Sequence, residues 1–290
     1  MVLNRFWDVI IKKKKLIKSV AIQGVKGSFH HIVSQQYFDE RVLVDECMTF
    51  DAVIESILNR NCDAAIMAIE NSIAGSIIPN YALIDTHNLH IVGEHYLDIQ
   101  HHLMALPNQT IDDIKEVYSH PMALLQCKSF FKHYPHIKLI EDIDTAQVAQ
   151  RIQENQTKNV AAIASRLAAQ LFELDIISES IQTIKHNETR FFIVKTKNAE
   201  IPVHEINKAS IKFELDHKRG SLATILNVLS DCKLNLTKIQ SLPKIETPWK
   251  YAFFVDVTFE SFKDYDKAKS IMKIMAQDFK VLGEYKNARL

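Results

Sequence analysis

Along residues 19–197, short apolar runs alternate with longer stretches of helical periodicity, and the runs have the length of strands. Val20-Ala21-Ile22 precedes a helical pattern over 28–38, Val42-Leu43-Val44 one over 50–58, and the continuous run 64–69 one over 77–84. In a second series Val117-Tyr118 leads into 122–131, Lys138-Leu139-Ile140 into 146–152, and 160–163 into 167–172. Between the series lies a long strand-rich stretch, 91–106, and a return crossing is expected near 181–189. Alternation of this kind predicts α/β layers. Two series joined by two crossings predict two lobes, with a ligand in the cleft between them.

Beyond a linker the order changes to a strand over 209–215, a helix over 221–230, strands over 236–239 and 251–258, a helix over 263–275 and a strand over 281–285. That is βαββαβ, a ferredoxin-like order. The expected organisation is an N-terminal extension (1–18), a two-lobed unit (19–197), a linker (198–207) and a second domain (208–290). Lobe one takes about 19–99 with 187–197, and lobe two about 100–186.

Composition narrows the function classes. The chain has 290 residues, 47% of them hydrophobic and 24% charged, which is ordinary for a soluble globular protein and leaves room for two domains. Its 35 basic residues balance its 35 acidic ones, so no overall field draws it to nucleic acid or to an acidic membrane. Anion recognition must then be local. Cys47, Cys62, Cys127 and Cys232 form no CxxC pair, which argues against a zinc site and a disulfide framework and points to the cytoplasm. No apolar run approaches the roughly 18 residues of a membrane span. At the N-terminus the apolar residues of 5–11 precede Lys12 to Lys15, the reverse of a secretory signal; a solvated tail and a basic anchor both remain open.

Candidate chemistry sits where strands end. Ser28, Ser119, Thr145 and Ser165 stand at strand-to-helix junctions, as N-caps or as ligand-facing hydroxyls. Gly24 and Gly27 are expected to let the backbone approach a ligand, in a cleft rimmed by helix N-termini that attract anions. Gly24-x-x-Gly27 is too short for a dinucleotide fingerprint. Glu70-Asn71-Ser72 follows the run 64–69, and Asn187-Glu188-Thr189-Arg190 opens the strand-like Phe191-Phe192-Ile193-Val194. Strand alternation can aim Thr189 at a ligand while Arg190 points the other way. Thirteen histidines invite a metal, but the pairs His30-His31 and His101-His102 diverge and no HExxH occurs, so none is expected.

Five motifs in order resemble the prephenate dehydratase family over about 19–196. They are Gly24-Val25-Lys26-Gly27-Ser28-Phe29; Ile69-Glu70-Asn71-Ser72-Ile73-Ala74-Gly75-Ser76; Tyr118-Ser119-His120-Pro121 with Gln126-Cys127; Asp144-Thr145-Ala146; and Asn187-Glu188-Thr189-Arg190-Phe191. The segment after Lys208 resembles an ACT regulatory domain. The resemblance implies a two-lobed catalytic domain like type II periplasmic binding proteins, acting on prephenate without a cofactor. It implies Thr189 as the catalytic residue, with Glu70 the alternative proton donor or else a structural carboxylate. Substrate binding is then expected from Ser28, Asn71, Ser72, Ser119, Gln126 and Thr145, with Arg190 either a carboxylate clamp or a structural partner. Arogenate dehydratase and a non-catalytic two-lobed ligand sensor are the alternatives. The chorismate mutase helices fused to some relatives are expected to be absent.

Departures from the family pattern are few. Val25 stands for a proline, Ser28 for a threonine and Met122 for a glutamine. In the ACT-like part the effector motifs read Gly220-Ser221-Leu222 and Gln240-Ser241-Leu242-Pro243, the second without the family's two charges. Candidate effector contacts for L-phenylalanine are Gly220, Ser221, Leu222, Asn235 and Ser241, across a homodimer or homotetramer.

Overall fold

The computed structural model describes residues 18–38, 41–198, 201–216, 218–243 and 251–289. The N-terminal extension therefore lies, but for Lys18, outside the described residues. The first elements are β1 (Ser19–Gln23), α1 (Phe29–Tyr37), β2 (Leu43–Cys47), α2 (Phe50–Leu58), β3 (Ala64–Asn71), β4 (Gly75–Ser76), α3 (Ile78–Thr86) and β5 (His90–Asp98). Next come β6 (His102–Ala105), β7 (Glu116–Ser119), α4 (Pro121–Phe131), β8 (Lys138–Glu141), α5 (Thr145–Glu154), β9 (Val160–Ala164), α6 (Arg166–Leu171) and β10 (Asp175–Ser178). The chain returns through β11 (Glu188–Lys195) and ends with β12 (Lys208–Glu214), α7 (Ser221–Asp231), β13 (Asn235–Pro243), β14 (Tyr251–Thr258), α8 (Phe262–Met275) and β15 (Gln277–Tyr285).

Three sheets result. The first runs β2-β1-β3-β11-β5 with β4 on β3, the second β10-β6-β9-β7-β8, and the third β13-β14-β12-β15. The stretch 91–106 is thus two strands in different sheets, with 99–101 crossing between them. β10 has no counterpart among the predicted strands; its four residues carry only one half-buried apolar pair, Ile176-Ile177.

β3 and β11 are covered on both faces, which is why their apolar runs are continuous rather than alternating. On one face Ala64, Ile66 and Ala68 of β3 join Phe191 and Ile193 of β11 under Val33 of α1. On the other, Ala65, Met67, Ile69, Phe192 and Val194 pack against α2 and α3 and also against Phe254, Leu282 and Tyr285 of the third sheet. Lobe one and the C-terminal unit therefore share a hydrophobic core.

One irregularity decides which polar residues meet. The β3–β11 register pairs Asn71 with Thr189 and Glu70 with Arg190, then Ala68 with Phe191, leaving Ile69 as an extra residue. Such a bulge turns the side chains beyond it. Asn71 emerges with Thr189, while Glu70 goes with Arg190 to the opposite side.

Gly24 and Gly27 both have positive φ, +90° and +91°, which glycine alone adopts freely. A Cβ on Gly24 would lie 2.8 Å from Asp144 Oδ2, and one on Gly27 3.0 Å from Ala168 Cα. The glycines allow lobe one to approach lobe two rather than a ligand, which corrects the sequence expectation. Ser165 Oγ donates to Gly27 O at 2.5 Å across the same seam.

Candidate active site

A cleft of about 650 Å³ lies between the lobes. Its walls include Ser28 and Phe29 at the start of α1, Thr49 and Phe50 at that of α2, and Pro79 and Asn80 at that of α3. Lobe two contributes His120 and Met122 at the start of α4 and Asp144 and Thr145 at the start of α5. Five helices thus present N-terminal turns to one space, and their N–H groups and dipoles favour an anion. Among the described residues lining it there is no lysine or arginine, so backbone dipoles and neutral side chains must recognise any carboxylate. Two acids, Asp51 and Asp144, do line it. Burial pushes the Asp144 carboxyl up, against the lowering effect of the Gln147 N–H, which it caps at 2.8 Å.

Thr189 lies on this wall, 8% exposed. Asn71 Nδ2 donates to Thr189 Oγ1 at 2.9 Å and to Asn187 Oδ1 at 2.7 Å. Asn187 Nδ2 donates to Gln126 Oε1 at 2.9 Å, and Gln126 Oε1 also meets His101 Nε2 at 2.9 Å. A chain of neutral groups thus runs from lobe two through the return crossing into lobe one.

The direction of every donor in it follows from the backbone. Asn71 Oδ1 accepts from Ile73 N at 3.0 Å and Ala74 N at 2.8 Å, and those groups can only donate. The Asn71 amide must then turn Nδ2 toward Asn187 and Thr189. Asn187 accordingly accepts through Oδ1 and donates through Nδ2, Gln126 accepts through Oε1, and His101 must carry its proton on Nε2. At the other branch Thr189 accepts, so its own proton remains to be donated elsewhere.

Four predicted site residues serve structure instead. Arg190, 4% exposed, faces away from the cleft into a buried ion cluster: Nε donates to Glu94 at 2.7 Å, and the other nitrogens meet Asp256 and, at 3.1 Å, Tyr285 Oη. Glu70 pairs with Lys238 Nζ of β13 at 2.6 Å on that same side, carried there by the bulge, so it is no proton donor to the cleft. Ser72 exchanges two bonds with Glu188, its N donating at 2.8 Å and its Oγ accepting at 3.0 Å, which fastens the start of β11. Ser119 is fully buried and donates to Ile163 O at 2.7 Å, tying β7 to β9. Neither Ser119 nor Thr145 is an N-cap; His120 and Asp144 are, whereas Ser28 and Ser165 do cap their helices. Ser28, Asn71, Gln126, Thr145 and Thr189 share the cleft wall.

Sequence reasoning passed over Asn187 and His101. Asn187 was signalled by its place two residues before Thr189. His101 had no such signal, since its neighbour His102 serves the fold by accepting from Ser180 N at 3.3 Å. Further down the wall, His30 accepts from Ala68 N at 3.4 Å through Nε2 and packs edge-on against Phe191; burial lowers its pKa to about 3. Among the described residues no group of three or more His, Cys, Asp or Glu side chains is set to hold a metal ion, and no helix is long and apolar enough to cross a membrane.

The effector candidates lie in the C-terminal unit. Gly220, φ +85°, is the N-cap of α7, followed by Ser221 and Leu222; nothing lies near a Cβ built on it, so its glycine answers to backbone conformation. Asn235 and Ser241 are exposed positions of β13, an edge strand in this chain.

Comparison with known proteins agrees with this architecture. The chain is 30% identical to a bifunctional chorismate mutase/prephenate dehydratase of Buchnera aphidicola, over 98% of its length and 77% of that protein. It is 34% identical to the chloroplastic arogenate dehydratase/prephenate dehydratase 2 of Arabidopsis thaliana, over 92% of its length and 71% of that protein. Among solved structures, prephenate dehydratase from Arthrobacter aurescens in complex with L-Phe matches 93% of this chain and 90% of its own at a TM-score of 0.85 and 24% identity, a likeness of fold. GqqA, described as a novel type of quorum quenching acylase, matches 93% of this chain and 98% of its own at a TM-score of 0.82 and 25% identity. The family model for prephenate dehydratase matches residues 20–199, and the chain belongs to the prephenate dehydratase family.

Proposed function

We propose that the cleft converts prephenate to phenylpyruvate, with loss of CO2 and water, in L-phenylalanine biosynthesis. The observation that carries this is the Thr189 hydroxyl, which accepts from Asn71 and so keeps its own proton for a ligand. As the C1–carboxylate bond breaks, its electron pair moves through the diene and the C4–oxygen bond breaks with it. Aromatisation drives the step. Thr189 acts as a hydrogen-bond donor to the departing hydroxide rather than as an acid, since an alcohol releases its proton poorly near neutral pH; water supplies the proton. One fixed donor of this kind contributes ~10²–10³ in rate. The helix N-termini, Ser28 and Thr145 hold the two carboxylates, and Gln126, its Oε1 engaged twice, offers Nε2.

An arogenate reading has its own support. Asp144 is a buried carboxylate on the cleft wall, suited to an ammonium group. The acylase likeness has less, because Thr189 Oγ1 is bonded to an amide and not to a base that could activate it.

The C-terminal βαββαβ unit is read as an ACT domain, with L-phenylalanine its effector near Gly220, Ser221, Leu222, Asn235 and Ser241 in a homodimer or homotetramer. Mixing the protein with prephenate or arogenate and following phenylpyruvate and phenylalanine tests the reading. Turnover of prephenate is expected; tight binding of either compound without product would make the protein a sensor instead.

A further inference from the structure

The amide chain between the lobes carries an inference about a residue that no motif singled out. A primary amide turned by 180° keeps its shape but exchanges donor for acceptor. Gln126, Asn187 and Asn71 are three such groups in series, so each fixed end opposes a reversal of the chain, and the group farthest from a fixed end is held least firmly. In lobe one the end is fixed by the backbone N–H groups of Ile73 and Ala74. In lobe two the last group is His101, 4% exposed, its Nε2 against Gln126 Oε1 at 2.9 Å.

We propose that His101 is a positioning residue for Thr189. Its Nε2–H holds Gln126, Asn187 and Asn71 in the arrangement that leaves the Thr189 proton free for the substrate. Without that donor the Gln126 amide is held only by the Asn187 NH2, so the end of the chain in lobe two loosens. Each excursion of Gln126 sets its NH2 group against that of Asn187 and displaces the Oδ1 that takes the Asn71 NH2, the group that orients Thr189. The proposal rests on the reading of Thr189 as the donor to the departing hydroxyl.

Three features fit His101 to this task. Its ring packs edge-on against Phe29, with centroids 5.5 Å apart, and its backbone N–H donates to Gln182 Oε1 at 3.0 Å, so the ring is packed and the main chain that carries it is anchored. Nδ1 is buried and has no hydrogen-bond partner among the described residues, where Gln126 alone selects the tautomer. Burial lowers its pKa to about 4, despite the opposing hydrogen bond to Gln126, and His102 and His120 add to the lowering. An imidazolium would still donate from Nε2, so the polarity of the chain survives protonation.

The test compares three variants, each assayed with prephenate and checked by urea unfolding. A glutamine places an amide N–H near the position of Nε2, whereas an asparagine reaches only that of Nδ1. His101→Asn and His101→Ala are expected to lower kcat at least about tenfold with KM little changed, as for a small misplacement of a catalytic group. His101→Gln is expected to restore most of the turnover. Activity kept in His101→Asn and lost in His101→Gln would make Nδ1 the working atom and overturn the proposal. So would equal losses in all three that track lowered stability, or no loss in any. NMR of the Asn71 side-chain amide gives a readout without substrate: its resonances should move in His101→Asn and not in His101→Gln. If the wild-type protein does not turn over prephenate, the proposed function fails, and the NMR comparison alone still decides for or against His101.

Discussion

Thr189 and Arg190 are neighbours on β11, yet they face two environments built on opposite physics. On the Thr189 side every group that touches the hydroxyl or its supports is neutral: Asn71, Asn187, Gln126 and a histidine that burial keeps unprotonated. On the Arg190 side two cations, Arg190 and Lys208, meet two carboxylates, Glu94 and Asp256, with Ser210 and Tyr285 filling the remaining bonds. The charged side joins lobe one to the C-terminal unit, while the neutral side faces the cleft. Neutral donors suit a site that takes a dianion and must keep one polarity; a fixed lysine or arginine would bind ground and transition states alike.

The largest effect is expected from Arg190→Met, which leaves two buried carboxylates with one cation. Breaking a buried pair in this way costs about 3–5 kcal/mol. Urea unfolding reads the loss, and adding Asp256→Leu should recover much of it. Were the single variant as stable as wild type, the cluster would be an ornament of the interface. Thr189→Ala should behave oppositely, lowering kcat ~10² while the unfolding midpoint stays close to wild type. An active Thr189→Ala would remove the distinction between the two faces.

That distinction was only partly legible in the sequence. Strand alternation suggests that Thr189 and Arg190 diverge, and the α/β class follows from the alternation of apolar runs and helical periodicity. The same rule fails at Glu70 and Asn71, because an extra residue at Ile69 turns both, and a bulge leaves no local mark in Ile-Glu-Asn-Ser. Gly24 and Gly27 read as ligand-approach glycines because a sequence shows that a close contact is permitted but not with what; here the contact is lobe two. Ser119 and Thr145 read as caps because hydroxyls favour that position, yet His120 and Asp144 stand one residue earlier or later and hold the bond. His101 was hidden for a further reason. Its role depends on partners 25 and 86 residues away along the chain, Gln126 by direct contact and Asn187 through it.

Acid should act through the neutral side. His30 and His101 have folded pKa values near 3 and 4, below their ordinary value of 6.5, because burial opposes charge. Between those values and 6.5 the unfolded chain binds the protons that the folded chain refuses. Their stabilising effect is therefore complete above pH 6.5 and is lost as pH falls toward 4 and then 3. From pH 7 to 5 each should account for about 1–2 kcal/mol. Urea midpoints at the two pH values measure this, and His101→Gln should shrink the difference by one histidine's share; an unchanged difference would mean that His101 is protonated in the folded protein.

The smallest effect expected is also the one that joins the two faces. Lys238 lies in β13 between the effector candidates Asn235 and Ser241, and its Nζ bonds Glu70 at 2.6 Å and Ser76 Oγ at 2.7 Å. Glu70 precedes Asn71, and Ser76 itself lines the cleft. A ligand that shifts β13 therefore pulls on the turn that fixes the amide chain, without passing through the Arg190 cluster. The Glu70 side chain is 37% exposed, so solvent screens the pair and its worth to stability is about 1 kcal/mol or less. Lys238→Met should thus leave folding and basal turnover near wild type. It should reduce the effect of L-phenylalanine on prephenate turnover by about fivefold, and by reciprocity the effect of a substrate analogue on phenylalanine affinity as well. Unchanged coupling would place the link in the Arg190 cluster, and the charged face would then regulate as well as hold.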